Sequence, residues 1–302
     1  MEDTPHSERQ TPLRRKDRHQ KELNTSRRAF LKKAAGAAIG VGLLGGYAGW
    51  WEPRHLEINR LNLSLSGLPA AFAGMKIVHF SDVHLGYHTD AEDFKRLAAL
   101  IQAEQPDVLC FTGDIVDDHP YSMLESIDSM AGLNAPLGKF AVLGNHDYKW
   151  VSRPDGLPGL YPRTGFQLLR NEHVWIQKGK DAIAMIGLED QIEGKVKLAQ
   201  AVDGIPSEAF RILLMHEPDY ADTAAASGFA LQLSGHSHGG QVRLPFVGAL
   251  ITPLGGRRYI QGLHYIGETH MPLYVNRGFG MTRLPIRFLC RPELTVLTLN
   301  PV

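Results

Sequence analysis

Two imidazoles, His236 and His238, stand one residue apart in "LSGHSHGGQVRLP", with glycine at 235, 239 and 240. Rings of this type hold divalent metals or trade protons, and glycine lets the backbone approach whatever they hold. A turn that merely contains histidine explains the pair equally well. Four further groups of the same chemical kind recur in the chain. They are Asp82 and His84 in "SDVH", Asp114 and Asp117 in "GDIVD", Asn145, His146 and Asp147 in "GNHD", and His216 in "MHEPD". Singly, each reads as a turn or a hydrogen-bonded histidine. Five such clusters, each following an apolar run, do not read as five independent turns. Burying those groups unpaired costs several kcal/mol each.

The apolar runs before the clusters are the elements that must position them. "MKIVHFSD", "DVLCFTGD", "KFAVLGNHD", "FRILLMHEPD" and "ALQLSGHSH" read as short strands ending in polar residues. Between them, "AEDFKRLAALIQAEQP" places Phe94, Leu97, Leu100 and Ile101 at helical spacing and stops at Pro106. "YSMLESIDSMAGL" and "DYADTAAASG" continue the alternation of strand and helix. This is an α/β layered pattern, and in such folds ligand sites lie at the carboxyl ends of strands. Near the C-terminus "LHYIGETHMPLYVNRG" reads as a hairpin and "LTVLTLN" as a closing strand, so two packed sheets are expected.

The ordered set D-x-H, G-D-x-x-D, G-N-H-D, H and G-H-x-H over residues 76–238 resembles the calcineurin-like metallophosphoesterases. The flanks "HEPD", "GHSHGGQVRLPFVG" and "YVNRGFGMTRLPIRFLCRPELTVL" are similar to its YaeI/YkuE-type phosphodiesterase branch and extend the likeness nearly to the C-terminus. The resemblance implies a four-layer sandwich, two mixed β-sheets flanked by helices. It implies that Asp82, His84, Asp114 and His238 bind one metal, and that Asp114 bridges to a second held by Asn145, His216 and His236. Such mixed ligands suit Mn²⁺, with Fe²⁺ or Zn²⁺ as alternatives, rather than Ca²⁺. The implied reaction is phosphoester hydrolysis, with a metal-bridged hydroxide attacking phosphorus between two ions about 3.5–4 Å apart. His146 is expected to face the substrate as a catalytic group, and Asp117 to orient it. Asp147 is expected to shape the turn. Arg277 and Arg287, in branch-like segments, are candidates for the substrate phosphate; a salt bridge at the sheet end is the competing reading. His79 is expected to be structural within its strand, and His88, His119, His264 and His270 to be surface or loop residues.

The 302 residues are 43% hydrophobic and 21% charged, with no formal net charge, so no global basic field indicates a nucleic-acid partner. Residues 1–33 carry ten Lys/Arg against five Asp/Glu, which leaves the remainder net acidic by five. Two cysteines are too few for a disulfide framework, and Cys110 reads as a buried small hydrophobe. Residues 1–25 are polar and expected to be disordered. Ser26-Arg27-Arg28-Ala29-Phe30-Leu31-Lys32 before an uncharged stretch, 34–51, resembles a twin-arginine export signal. Residues 26–51 are therefore expected to act as a signal or membrane anchor, with the twin-arginine machinery as partner. Residues 52–302 are expected to form a metallophosphoesterase domain in the periplasm or on the outer face of the cytoplasmic membrane. The expected substrate is a phosphodiester or a lipid-linked phosphate at the cell envelope. A UDP-2,3-diacylglucosamine pyrophosphatase-like role in lipid A synthesis is the first alternative. A non-catalytic metal-binding envelope protein is the second, although no ligand of the motif set is missing.

Overall fold

The computed structural model describes residues 12–117, 119–151 and 156–302. It divides into two compact units, Met1–Tyr47 and Ala48–Val302. The first consists, where described, of the helix α1, Pro12–Gly46. Helical backbone thus reaches into residues 12–25, expected to be disordered; residues 13–35 hold no proline or glycine and many good helix formers. The stretch Arg27–Arg54 is long and apolar enough to cross a membrane, a test that a signal sequence also passes.

The second unit is an α/β sandwich. Its strands run β1 Glu57–Leu65, β2 Met75–Phe80, β3 Val108–Thr112, β4 Lys139–Val142, β5 Gln167–Leu168, β6 Glu172–Lys178, β7 Asp181–Gly187, β8 Arg211–Leu214, β9 Leu231–Ser234, β10 Arg243–Leu244, β11 Gly248–Ala249, β12 Gly262–Ile266, β13 Met271–Val275 and β14 Glu293–Pro301. One mixed sheet has the order β1-β14-β2-β3-β4-β5 and the other β12-β13-β9-β8-β7-β6; β10 and β11 form a separate two-stranded ribbon. Strands β2 to β5 are parallel, as are β7, β8 and β9, so their carboxyl ends point one way within each sheet.

Side-chain alternation builds the layers. In β3, Val108 and Cys110 face the core between the sheets, while Leu109 and Phe111 face the outer helices. The inner core joins Ile77, Val108 and Val142 of one sheet to Met185, Leu214 and Leu233 of the other. Each such buried side chain contributes about 1.5–3 kcal/mol. Helix α2, Ala91–Ala103, covers the outer face of the first sheet. It opens on a capping box in which Asp90 and Asp93 each accept the other's backbone N–H, at 2.8 and 3.1 Å. It buries Phe94, Leu97, Ala98 and Ile101. Leu100, expected on that face, is 38% exposed, because it falls at the edge of the apolar stripe. "YSMLESIDSMAGL" is a 3₁₀ segment, Pro120–Ser126, followed by the short α3, Ile127–Ala131. The brief α4, Tyr161–Thr164, follows on the same side, and α5, Leu198–Ala201, with α6, Ala221–Ala226, covers the second sheet. Cys110 and Cys290 are free and buried.

Candidate metal centre and active site

The five clusters follow the carboxyl ends of β2, β3 and β4 in one sheet and of β8 and β9 in the other. The chain must turn there at once, and it does so in an unusual way. Asp82, His84, Asp114, His236 and His238 all have φ between +50° and +67°, the left-handed region that side chains other than glycine rarely adopt. Asp and His tolerate it better than most residues, and its concentration here marks a site where geometry outranks local stability. Close approach does the rest. A Cβ on Gly235 would lie 1.9 Å from Ser81 Oγ and 2.3 Å from Asp82 Oδ2. One on Gly144 would lie 2.2 Å from Asp114 Oδ1.

The converging atoms are metal donors. His84 Nε2 and His238 Nε2 face each other at 3.0 Å, and Asp82 Oδ1 is 3.4 Å from the latter. Asp114 Oδ2 lies 3.6 Å from His84 Nε2 and 3.3 Å from His216 Nε2. Three triads have ligand atoms within 4.8 Å of one another: Asp82, His84 and His238; Asp82, Asp114 and His216; and His84, Asp114 and His146. Two potential metal sites that share carboxylates are therefore present. The donors fit cations. Asn145 Oδ1 is buried without a hydrogen-bond partner, and His216 Nε2 faces the Asp114 carboxylate without hydrogen-bond geometry. His216 Nδ1 donates to Thr112 O at 2.6 Å, and His236 Nε2 donates to Leu254 O at 2.7 Å, so each ring keeps its other nitrogen for a ligand.

The electrostatics agree. Burial lowers the pKa of His84 and of His236 to about 4, and neutral imidazole is the form that coordinates. Burial, reinforced by the neighbouring Asp114 charge, lifts Asp82 to about 6. Burial also disfavours the Asp114 anion, yet the neighbouring His216 outweighs it and holds that carboxyl well below its usual range. Burial in turn opposes the His216 cation, yet without a metal Asp114 raises its pKa well above the ordinary value, and it is the cation that a bound metal would replace. Carboxylates packed this closely call for positive charge between them.

Around this core, Asp117 Oδ1 accepts from His146 Nδ1 at 2.5 Å, the arrangement expected of an orienting carboxylate. Burial disfavours the His146 cation, but that hydrogen bond and the charge of Asp114 raise its pKa above the ordinary value. His146 lines an open cavity of about 380 Å³ together with Asp114, Asn145, His236 and His238. The cavity walls come from residues 240–242, 250–253, 282–284 and 286. The 149–165 segment contributes no described residue to it; residues 152–155 lie outside the described part.

Two expectations are corrected. Arg287 is fully buried, and its guanidinium donates to the carbonyls of Arg277, Gly278, Gly280 and Cys290, so it clamps loops and does not line the cavity. Arg277 is the salt bridge of the competing reading, held by Glu293 at 2.5 Å and Glu57 at 3.1 Å. The exposed arginine on the cavity wall is Arg283, in the same "MTRLP" segment. Asp147 does more than shape one turn. Its carboxylate accepts N–H groups of Gly144, Asp114, Ile115 and Val116 at 2.8–3.3 Å and ties the β3 loop to the β4 loop. His79 is buried in β2 against Thr112 Oγ1 at 2.8 Å. His88 and His270 are exposed; His119 and His264 lie in partly buried positions outside the site.

Comparisons with known proteins agree with this geometry. The calcineurin-like phosphoesterase family matches residues 75–240. The chain is 40% identical to the uncharacterized metallophosphoesterase YkuE of Bacillus subtilis, over 91% of this chain and 98% of that protein. It is 31% identical to phosphodiesterase YaeI of Escherichia coli, over 91% and 99%. It is 29% identical to UDP-2,3-diacylglucosamine pyrophosphatase LpxG of Chlamydia trachomatis, over 83% and 91%. The chain belongs to the calcineurin-like phosphoesterase family, in a branch like YaeI and YkuE, and is a metallophosphoesterase.

Proposed function

We propose that the chain is a two-metal phosphodiesterase of the cell envelope. The observation that carries this reading is the set of donor clusters linked to one another through Asp82 and Asp114, with Asp114, Asn145, His236 and His238 reaching an open cavity. In this reading Asp82, His84, Asp114 and His238 hold one ion, and Asp114, Asn145, His216 and His236 the other, with Mn²⁺ the first candidate and Fe²⁺ or Zn²⁺ possible by the same donor set. Bound ions of this kind supply Lewis acidity and a nucleophile from water near neutral pH. The chain's own residues do the rest. Asp117 holds His146 Nδ1, so His146 exchanges protons through Nε2 on the cavity side and serves the leaving oxygen. Asp147 keeps the two ligand loops in register.

The preference for diesters is supported by the likeness to YaeI, a phosphodiesterase by name. The envelope location is supported by the apolar stretch Arg27–Arg54 and by the twin arginines at its start, Arg27 and Arg28, which would engage the twin-arginine machinery. A second reading, cleavage of an acylated nucleotide-sugar pyrophosphate, is favoured by the LpxG relative and by the apolar cavity wall of Val242, Leu250, Ile251, Pro253 and Leu284.

The test is hydrolysis by metal-loaded protein of a soluble chromogenic diester beside its monoester and UDP-2,3-diacylglucosamine. The proposal expects the diester to be cleaved faster than the monoester. Cleavage of the acylated nucleotide sugar alone would replace it with the second reading. Bound metal without turnover of any of the three would sink both.

A further inference from the structure

The loops that wall the cavity also carry an apolar surface that covers nothing in its own unit. Phe246, Val247, Leu250, Ile251 and Leu254, on and after the β10–β11 ribbon, are each at least half exposed, as is Leu284 on the neighbouring loop. The surface is built rather than frayed. Arg243 N–H donates to Phe288 O at 2.9 Å, Phe288 N–H donates to Gln241 O at 3.0 Å, and the Gln241 side chain donates to the Thr282 and Leu284 carbonyls at 3.1 and 2.9 Å. Phe246 occupies the ribbon's tip with φ +65°, a conformation that bulky residues avoid, and its ring lies wholly in solvent. The fold gains no packing from this arrangement. Exposed apolar patches of this kind mark a surface meant to be covered.

Charge selects the partner. Residues 241–261 hold three arginines and residues 277–292 hold four, and neither segment contains an Asp or Glu. Arg287 is buried and Arg277 and Arg258 are ion-paired, so the face presents the half-buried Arg243 and Arg291 and the exposed Arg257 and Arg283. Asp219 and Asp222 approach only the far end, where Asp222 pairs with Arg258. The exposed Arg257 and Arg283 form no ion pair among the described residues. A second copy on this face would set arginine against arginine across a two-fold axis. An apolar rim edged with arginine instead fits a bilayer interface, where side chains enter the acyl boundary and guanidinium groups meet lipid phosphates.

We infer that this rim docks on an anionic phospholipid surface and holds the mouth of the metal cavity against it. Leu250, Ile251 and Leu284 belong both to the rim and to the cavity that contains His146, His236 and His238, so the docked surface and the reacting atoms share one opening. The inference does not depend on which phosphoester is cleaved.

The experiment uses the full chain. Cys110 and Cys290 are buried, so a thiol-reactive, polarity-sensitive fluorophore selects an added cysteine. It is placed on Phe246→Cys, on Val247→Cys as a second rim position, and on Lys180→Cys, which lies in the exposed turn between β6 and β7. Each labelled protein is mixed with phosphatidylglycerol/phosphatidylcholine vesicles, with and without brominated acyl chains. The expected result is a severalfold rise in emission at 246 and 247, quenched by the brominated lipid, weakened in pure phosphatidylcholine, and absent at 180. The inference is overturned if the rim labels stay water-exposed while the protein sediments with vesicles, since the N-terminal helix would then carry all binding. It is equally overturned if the rim labels respond to protein concentration without vesicles, since a second copy would then cover them. Hydrolysis of the soluble diester by the labelled proteins is expected to stay unchanged, which separates this outcome from that of the proposed function.

Discussion

Asp147 is the residue whose removal best separates holding the site from forming it. Its carboxylate touches no expected metal, but it binds the backbone on both sides of the Asp114 and Asn145 loops. Burial and the neighbouring Asp114 push its pKa up to about 7, while the backbone N–H groups pull the other way. Asp147→Asn replaces one acceptor oxygen by a donor facing N–H groups. We expect metal affinity to fall about 10–100-fold, read by competitive chelator titration; unchanged affinity would show that the loops hold themselves. His146→Gln should lower kcat by a factor of about 10²–10⁴ with metal content unchanged by elemental analysis. Loss of metal together with rate would instead make His146 a ligand, as its triad with His84 and Asp114 allows. Donor types and their order were legible in the sequence, because a cluster of Asp, Asn and His after an apolar run is itself a chemical signal. The role of Arg287 was not. An arginine that satisfies four loop carbonyls in the interior reads, in one dimension, like an arginine waiting for phosphate.

Strands that end in the motifs were easy to read, since a continuous apolar run buried on both faces stands out. Six others among the described residues escaped, of which β5, β10 and β11 are only two residues long. Strand β1, "EINRLNLSL", lies at a sheet edge and alternates only weakly in burial, while β6 and β7 carry no motif to draw attention to them. The closing strand β14 was expected, but not its place inside the sheet between β1 and β2. From there its Glu293 accepts from Tyr274 on β13 of the other sheet and from Arg277, and so fastens the two sheets together. Burial opposes the Glu293 anion, yet Arg277 outweighs it and holds the pKa below the ordinary 4.5. A depressed carboxylate gives its full stabilisation above that value and loses it as pH falls through the folded value. Glu293→Gln should therefore destabilise the chain by about 3–5 kcal/mol at pH 7 in urea unfolding. The difference should shrink as the pH drops below 4.5. A gap that stays constant with pH would mean that the ion pair is not its source.

At the scale of the whole molecule, the sandwich brings together ends of strands from two sheets, and metals bound by the proposed ligands would cross-link that convergence. Ligands that bind only the folded state stabilise it, by about 2.7 kcal/mol for each ion present at a hundred times its Kd. Stripping two ions should then lower Tm by roughly 10–20 °C for a domain of this size. Calorimetry with and without chelator measures this, and coincident transitions would contradict the presence of resident ions. The fold class was legible from the alternation of strand and helix. The surface of the 243–254 and 282–289 segments was not, because exposure depends on what fails to pack against a loop, and no local pattern records that.

The most direct test of the account is a Mn²⁺ titration of metal-stripped protein, with bound metal per chain and diester hydrolysis followed on the same samples. The account predicts negligible rate without metal, and a rate that rises with the second ion and levels off at two per chain. Full activity at one ion per chain, or activity that survives chelation, would contradict it.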